Sequence, residues 1–167
     1  GTVASGFSLP WLGRVLDRWG ERKMAVASIV ATGVVLLFLA NSVQLSSSLA
    51  QVLPSGIAAF LVIGVGFFLI RAAAQGVLSM TCRNAIGKWF DHKRDLALAL
   101  SGVLVSFSYS IAPRALDWLI ERYHYDGAWF IMGTATIAVM GPLAWLLFRD
   151  TPEVDGLLMD GGKKTDK

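Results

Sequence analysis

These 167 residues predict an all-α polytopic membrane protein, and three observations lead there. Long uncharged stretches recur along the chain, no strand-like alternation interrupts them, and basic residues gather in alternate connections between them. Composition agrees, since 54% of the residues are hydrophobic and 16% charged, against ~25% charged in a soluble domain. In lipid each backbone amide must find its partner inside its own segment, so spans that show no β pattern are helices.

Taken in order, Gly1 to Leu12 is uncharged but too short to cross a bilayer, and reads as the end of a span. The chain is therefore expected to be an internal piece of a longer protein. Met24 to Ser42 supplies nineteen uncharged residues, ~28 Å of helix at ~1.5 Å per residue, about the hydrocarbon thickness. Further spans are expected at Ile57 to Cys82, Leu96 to Ile120 and Ala128 to Phe148. Residues 1–149 thus read as one partial transmembrane unit, followed by a polar tail, 150–167, rich in Gly, Lys and Asp.

Orientation follows from charge. Arg14, Arg18, Arg22 and Lys23 fall in the first link, Arg83, Lys88, Lys93 and Arg94 in the third, and Arg149, Lys163, Lys164 and Lys167 after the last span. Alternating spans put these on one side, which the positive-inside rule makes cytoplasmic. Segments 13–23, 83–95 and 149–167 are therefore expected in the cytoplasm, and the protein in the plasma or inner membrane. The net charge of +3 reports this topology, and no basic groove or helix offers a nucleic-acid site. One cysteine, Cys82, excludes an internal disulfide, and with the distant His92 and His124 it makes no metal set. No cofactor is implied. Scattered acids without a Ser-His pairing leave an enzyme without a catalytic set, while a channel or scaffold would need no polar stripe inside the spans.

The first link carries the densest signal. Gly13, Asp17, Arg18, Gly20, Arg22 and Lys23 follow the pattern Gly-x-x-x-Asp-Arg/Lys-x-Gly-x-Arg/Lys-Arg/Lys. Gly13 lets helix ends approach, Gly20 permits a positive φ to reverse the chain, and Asp17 can pair with Arg22, Arg18 or a helix N-terminus. The same charges could instead only fix topology and solubilise the turn. The pattern resembles the signature loop of the major facilitator superfamily, which there joins the second and third helices. That resemblance implies a partial major facilitator fold running from the end of the second helix through the sixth, with the tail opening the central cytoplasmic loop.

Local matches point to a branch. Lys88-Trp89-Phe90 with Lys93, Arg94 and Ala97 is similar to a link of monocarboxylate and oxalate–formate type carriers, and Thr151-Pro152-Glu153 with Gly156-Leu157-Leu158 and Asp160-Gly161 to the start of their central loop. Asp95 stands where that branch usually has glycine, and His124-Tyr125-Asp126 replaces Gly-Trp-Arg. The Gly-Pro-rich antiporter motif of the fifth helix is missing. What the resemblance implies is secondary active transport of a small solute, an organic anion such as a monocarboxylate, by alternating access. Alternatives are a carrier of efflux or sugar type, or a membrane protein that transports nothing. Implied partners are the bilayer, a small-molecule substrate, a coupled proton or counter-anion, and the remaining helices of the same transporter.

Polar residues within the spans mark candidate substrate or coupling positions. A charge near a helix centre costs about 2.5–3.5 kcal/mol on insertion scales, so one retained there faces water, a partner or cargo. Arg71 is such a residue, and Gln75, Ser79 and Arg83 follow at four-residue steps. Anion capture, proton-linked gating and a structural arginine capped by carbonyls all fit Arg71. It also resembles an arginine that recurs before a glycine in the family's fourth helix, standing one residue further from Gly76. In the next span Gly102, Ser106, Ser110 and Arg114 repeat at the same interval, with Tyr109 and Asp117 alongside. Small residues at this spacing serve close packing more often than binding, and Arg114 can pair with Asp117 three residues on. Gly133, Gly141 and Pro142 imply tight packing and a bend, and Trp129 and Trp145 read as interfacial anchors.

Overall fold

The structure, a computed structural model, describes residues 19–149 and 151. All regular structure among them is helical: α1 (Glu21–Ala40), α2 (Ser42–Leu49), α3 (Ser55–Ile70), a π-helical segment (Arg71–Leu78), α4 (Ser79–Trp89), α5 (Arg94–Ala135), a second π segment (Thr136–Met140) and α6 (Gly141–Leu147). Three continuous rods, Glu21–Ala40, Ser55–Trp89 and Arg94–Leu147, are long and apolar enough to cross a bilayer. The last breaks at His124, whose φ of 60° and ψ of 175° are not helical, leaving arms 94–123 and 125–147.

Two sets of contacts orient the rods. At one end the start of α1 meets the ends of α4 and α6, through Glu21 with Lys88 and Arg22 with Trp145. At the other end Ala40, Asn41, Val43 and Gln44 share a small cavity with Asp126, Gly127 and Phe130. Thus α1 runs antiparallel both to the 55–89 rod and to the 125–147 arm. It packs against each of the other elements, and it supplies most of the buried apolar side chains, Met24, Ala25, Ile29, Val35, Leu36, Leu39 and Ala40.

The closest crossing joins α1 to the final arm. A Cβ on Gly133 would stand 2.9 Å from the Gly33 carbonyl oxygen, and one on Gly33 would strike Ile137 and come within 3.0 Å of the Gly133 oxygen. Two facing glycines let the backbones touch, the small-residue packing of membrane helices. This agrees with the close packing expected at Gly133. Gly141 meets nothing within 4 Å; the irregularity there is the π segment 136–140 directly before Pro142, whose missing N–H leaves a carbonyl of the preceding turn without its usual donor.

The outer surface is the reverse of a soluble protein's. Phe60 is 77% exposed and Phe107 65%, and Leu104, Ile111, Leu146 and Leu147 lie open as well. Apolar faces this extensive are compatible with lipid or a protein neighbour and not with water.

The stretch after Ser42, which lies between the spans expected at Met24 to Ser42 and Ile57 to Cys82, folds into α2. The Asn41 amide donates to the Leu37 carbonyl at 2.9 Å, and the hydroxyls of Ser46, Ser47 and Ser48 donate to the carbonyls of Val43 and Gln44. Side chains that bond back to their own turn satisfy themselves without ending the helix. The helix expected to end near Cys82 continues to Trp89, where Phe90 turns extended at φ −123° and ψ 130°.

Candidate functional site

The signature loop enters the described residues at Trp19. Gly13, Asp17 and Arg18 lie outside them, as does the tail apart from Thr151. Gly20 adopts φ 80° and ψ 161° immediately before α1, the positive φ expected of it and one that costs glycine nothing. The three charges that follow have three different fates. Glu21 is buried, 3% exposed, with Oε1 2.6 Å from Lys88 Nζ. Arg22 donates from Nε to the Trp145 carbonyl at 2.8 Å and lays its guanidinium over the indole, 4.3 Å from the ring centre. Lys23 points out and is exposed.

Two further contacts complete this end of the bundle. Trp89 Nε1 donates to the Arg149 carbonyl at 3.3 Å, and the Arg94 guanidinium lies against the backbone at Gly87, 3.6 Å from where a Cβ would sit. The loop, the end of α4 and the end of the last arm are therefore fastened by side chains of opposite character: one ion pair on a buried carboxylate, one cation over a ring, and two donors on the carbonyls of Trp145 and Arg149. The last turn of a helix leaves carbonyls without intrahelical donors, and Arg22 supplies one at Trp145. Trp145, read from sequence as an interfacial anchor, is thus also a partner of the loop.

Arg71 and Gln75 share a second site. With Phe60, Leu61, Gly64, Val65, Phe67, Phe68, Ile70 and Ala74 they line a mostly apolar groove of about 940 Å³ along one face of the 55–89 rod. Arg71 follows the 16 residues of α3, roughly 24 Å from its start by the α-helical rise. Both polar side chains are exposed. The α-helical stripe expected from Arg71 through Ser79 is corrected here: residues 71–78 form a π-helix, so hydrogen bonds run to the fifth residue and the four-residue steps no longer set the face. Ser79 does not line the groove; its hydroxyl donates to the Ala74 carbonyl at 3.4 Å.

The stripe of the following span lies on an open face. Gly102 has nothing within 4 Å, and the hydroxyl of Ser106 donates to its own helix at the Gly102 carbonyl, 2.9 Å away. Among the described residues no helix packs on this face. Tyr109 is 69% exposed. Arg114 and Asp117 are both exposed, and the ion pair between them expected three residues apart is not formed.

Residues 1–163 match the Major Facilitator Superfamily, and the chain belongs to that superfamily. It is 33% identical over 135 residues to monocarboxylate transporter 11 of Mus musculus, an alignment covering 76% of this chain and 26% of that protein. The chain thus spans about a quarter of the length of the curated relative it matches. No solved structure matches it. Family and apolar rods together make it part of an integral membrane protein with a partial, all-α major facilitator fold.

Glu21 and Lys88 were not singled out as a pair by sequence reasoning. The available signal was an acid at a variable position of a basic motif, in a link otherwise given over to topology.

Proposed function

We propose that the full-length protein is a secondary active transporter, not an enzyme, which moves a small organic anion of the monocarboxylate kind by alternating access. The observation that carries this reading is Arg71, a permanent cation exposed on an apolar groove deep in a membrane-length helix. A guanidinium retained at that depth at a cost of several kcal/mol calls for an anionic partner, and a planar fork suits a carboxylate bidentately. Gln75 adds a neutral donor beside it, and Phe67 and Phe68 supply the apolar wall against which an organic body lies. A coupled proton or counter-anion would share this passage.

In this reading Gly13 to Lys23 lies on the cytoplasmic side with 83–95 and 149–167. The loop stabilises the outward-open form, and Arg22 on Trp145 anchors its second half within the same set of helices. The relative named for monocarboxylates supports the cargo class. The test is uptake of labelled monocarboxylates into vesicles holding the purified full-length protein. Saturable, gradient-dependent uptake that falls sharply in Arg71→Ala is expected; uptake unaltered by that substitution would remove the central residue of the scheme.

A further inference from the structure

We propose that Gly64 is a specificity-determining residue of the Arg71 groove, a notch that selects organic monoanions carrying a long unbranched chain or an aryl tail over acids as short as propanoate; this deepens the transport reading above and rests on it. Two glycines of α3, two residues apart, have opposite surroundings. Gly66 belongs with Ala58 and Val62 to the buried face, and a Cβ on it would strike Leu39 of α1, so glycine there permits close helix packing. Gly64 lies ~200° around the helix from Gly66. It lines the groove, and a Cβ on it would meet nothing within 4 Å. Glycine weakens a helix interior, and no contact among the described residues calls for it at this position.

The space left open belongs to a single stripe. Phe60, Gly64, Phe67 and Arg71 recur at steps of four, three and four residues, the spacing of one helical face, and all four line the groove. Arg71 keeps α-helical dihedrals, φ −65° and ψ −41°, at the end of α3, so the stripe reaches it intact. Counted back from Arg71 along the axis, Phe67 lies ~6 Å away, Gly64 ~10 Å and Phe60 ~16 Å. With its carboxylate on Arg71, propanoate ends beside Phe67. Only a longer or aryl tail reaches the gap at Gly64, between the exposed rings of Phe60 and Phe67. A cation at one end and hydrocarbon along the rest match an amphipathic monoanion, since a second carboxylate would have to lie against phenylalanine. Each methylene buried in the gap raises affinity ~4-fold.

The experiment compares full-length wild type, Gly64→Leu and Gly64→Ala, with straight-chain acids from propanoate to octanoate and with 3-phenylpropanoate. Binding is read by titration in detergent, uptake in vesicles, and melting in parallel. Partition of long acids into detergent is common to the three proteins, so the deciding quantity is the ratio of variant to wild-type Kd for each acid. Gly64→Leu fills the gap and is expected to weaken octanoate and 3-phenylpropanoate at least ~10-fold, with propanoate within about twofold. Equal ratios for short and long acids, or no loss for octanoate, overturns the notch. Both variants melting below wild type without sorting the acids by length would show a helix packed on Gly64, and overturns it as well. If Gly64→Leu does not fold, Gly64→Ala decides by the same ratios and must weaken octanoate more than propanoate. Length-selective binding without uptake by wild type would sink the transport reading and leave the notch standing; uptake of propanoate with no discrimination in binding does the reverse, and binding of none of the acids removes both.

Discussion

Arg22 and Trp145, 123 positions apart in the chain, meet through a 2.8 Å hydrogen bond from Nε to a carbonyl and a guanidinium 4.3 Å over an indole. The arrangement uses both properties that separate arginine from lysine, a donor fixed in a plane and a delocalised cation that stacks on a ring. Replacement by lysine keeps the charge and loses both. Arg22→Lys in the full-length protein is therefore expected to lower stability by about 1–2 kcal/mol, the combined size of a partly buried cation–π contact and a charge-assisted hydrogen bond. Thermal unfolding in detergent measures it, and Trp145→Leu should reproduce most of the loss because the carbonyl acceptor survives while the ring does not. A lysine variant as stable as wild type would mean that only the charge matters.

The facing glycines of α1 and the last arm give a second expectation. A methyl group on Gly133 would lie 2.9 Å from a backbone oxygen and 2.9 Å from Leu37 Cγ, and a backbone oxygen cannot rotate aside as a side chain can. Gly133→Ala should cost about 1–3 kcal/mol, the usual size of an overpacked contact. Gly102→Ala, where the space is open, serves as the control in the same melting experiment. Equal effects at the two positions would show that helix propensity and not the crossing governs the outcome.

His124 is the one non-glycine described residue with positive φ, at 60°. With ψ at 175° it occupies backbone space that is nearly reserved for glycine and costs other residues of order 1–3 kcal/mol. His124→Gly should raise stability by about 1 kcal/mol, partly offset by the entropy of the unfolded glycine. A lowered melting temperature would show that the imidazole makes a compensating contact in the complete protein.

How much of this could be read beforehand depended on the range of the interaction. Span-length apolar runs such as that from Met24 report a property summed over many residues, and the rods appear where such sums are high. Gly20 was legible because a chain reversal demands one backbone geometry that one residue type adopts freely. The helix at Ser42–Leu49 was not, because serines that bond back to the preceding turn look from sequence like a solvated link. Glu21 with Lys88 was hidden for a different reason: nothing local ties an acid in one link to a base in another until the antiparallel arrangement of the rods brings both to one end. For the face between Gly102 and Ser110, small-residue spacing shows that close approach is permitted and does not say which partner takes it up.

The π segment at Arg71–Leu78 yields the last expectation. A π turn carries one more residue than an α turn between the same two helical ends, so removing one residue from it can convert the turn to α-helix while α3 and α4 keep their facing. Deleting a residue from regular α-helix instead rotates everything beyond it by ~100° and buries the wrong face. Deletion of Ala73 should therefore leave full-length protein folded and melting close to wild type, whereas deletion of Leu61 should abolish folding. Uptake would separate fold from function, because the shortened segment moves Gln75 relative to Arg71 and is expected to reduce transport at least ~10-fold, within the range that loss of one well-placed polar contact produces. Should both deletions destabilise the protein equally, the wide turn would not be absorbing an extra residue, and its role in seating Arg71 and Gln75 on the groove would have to be abandoned.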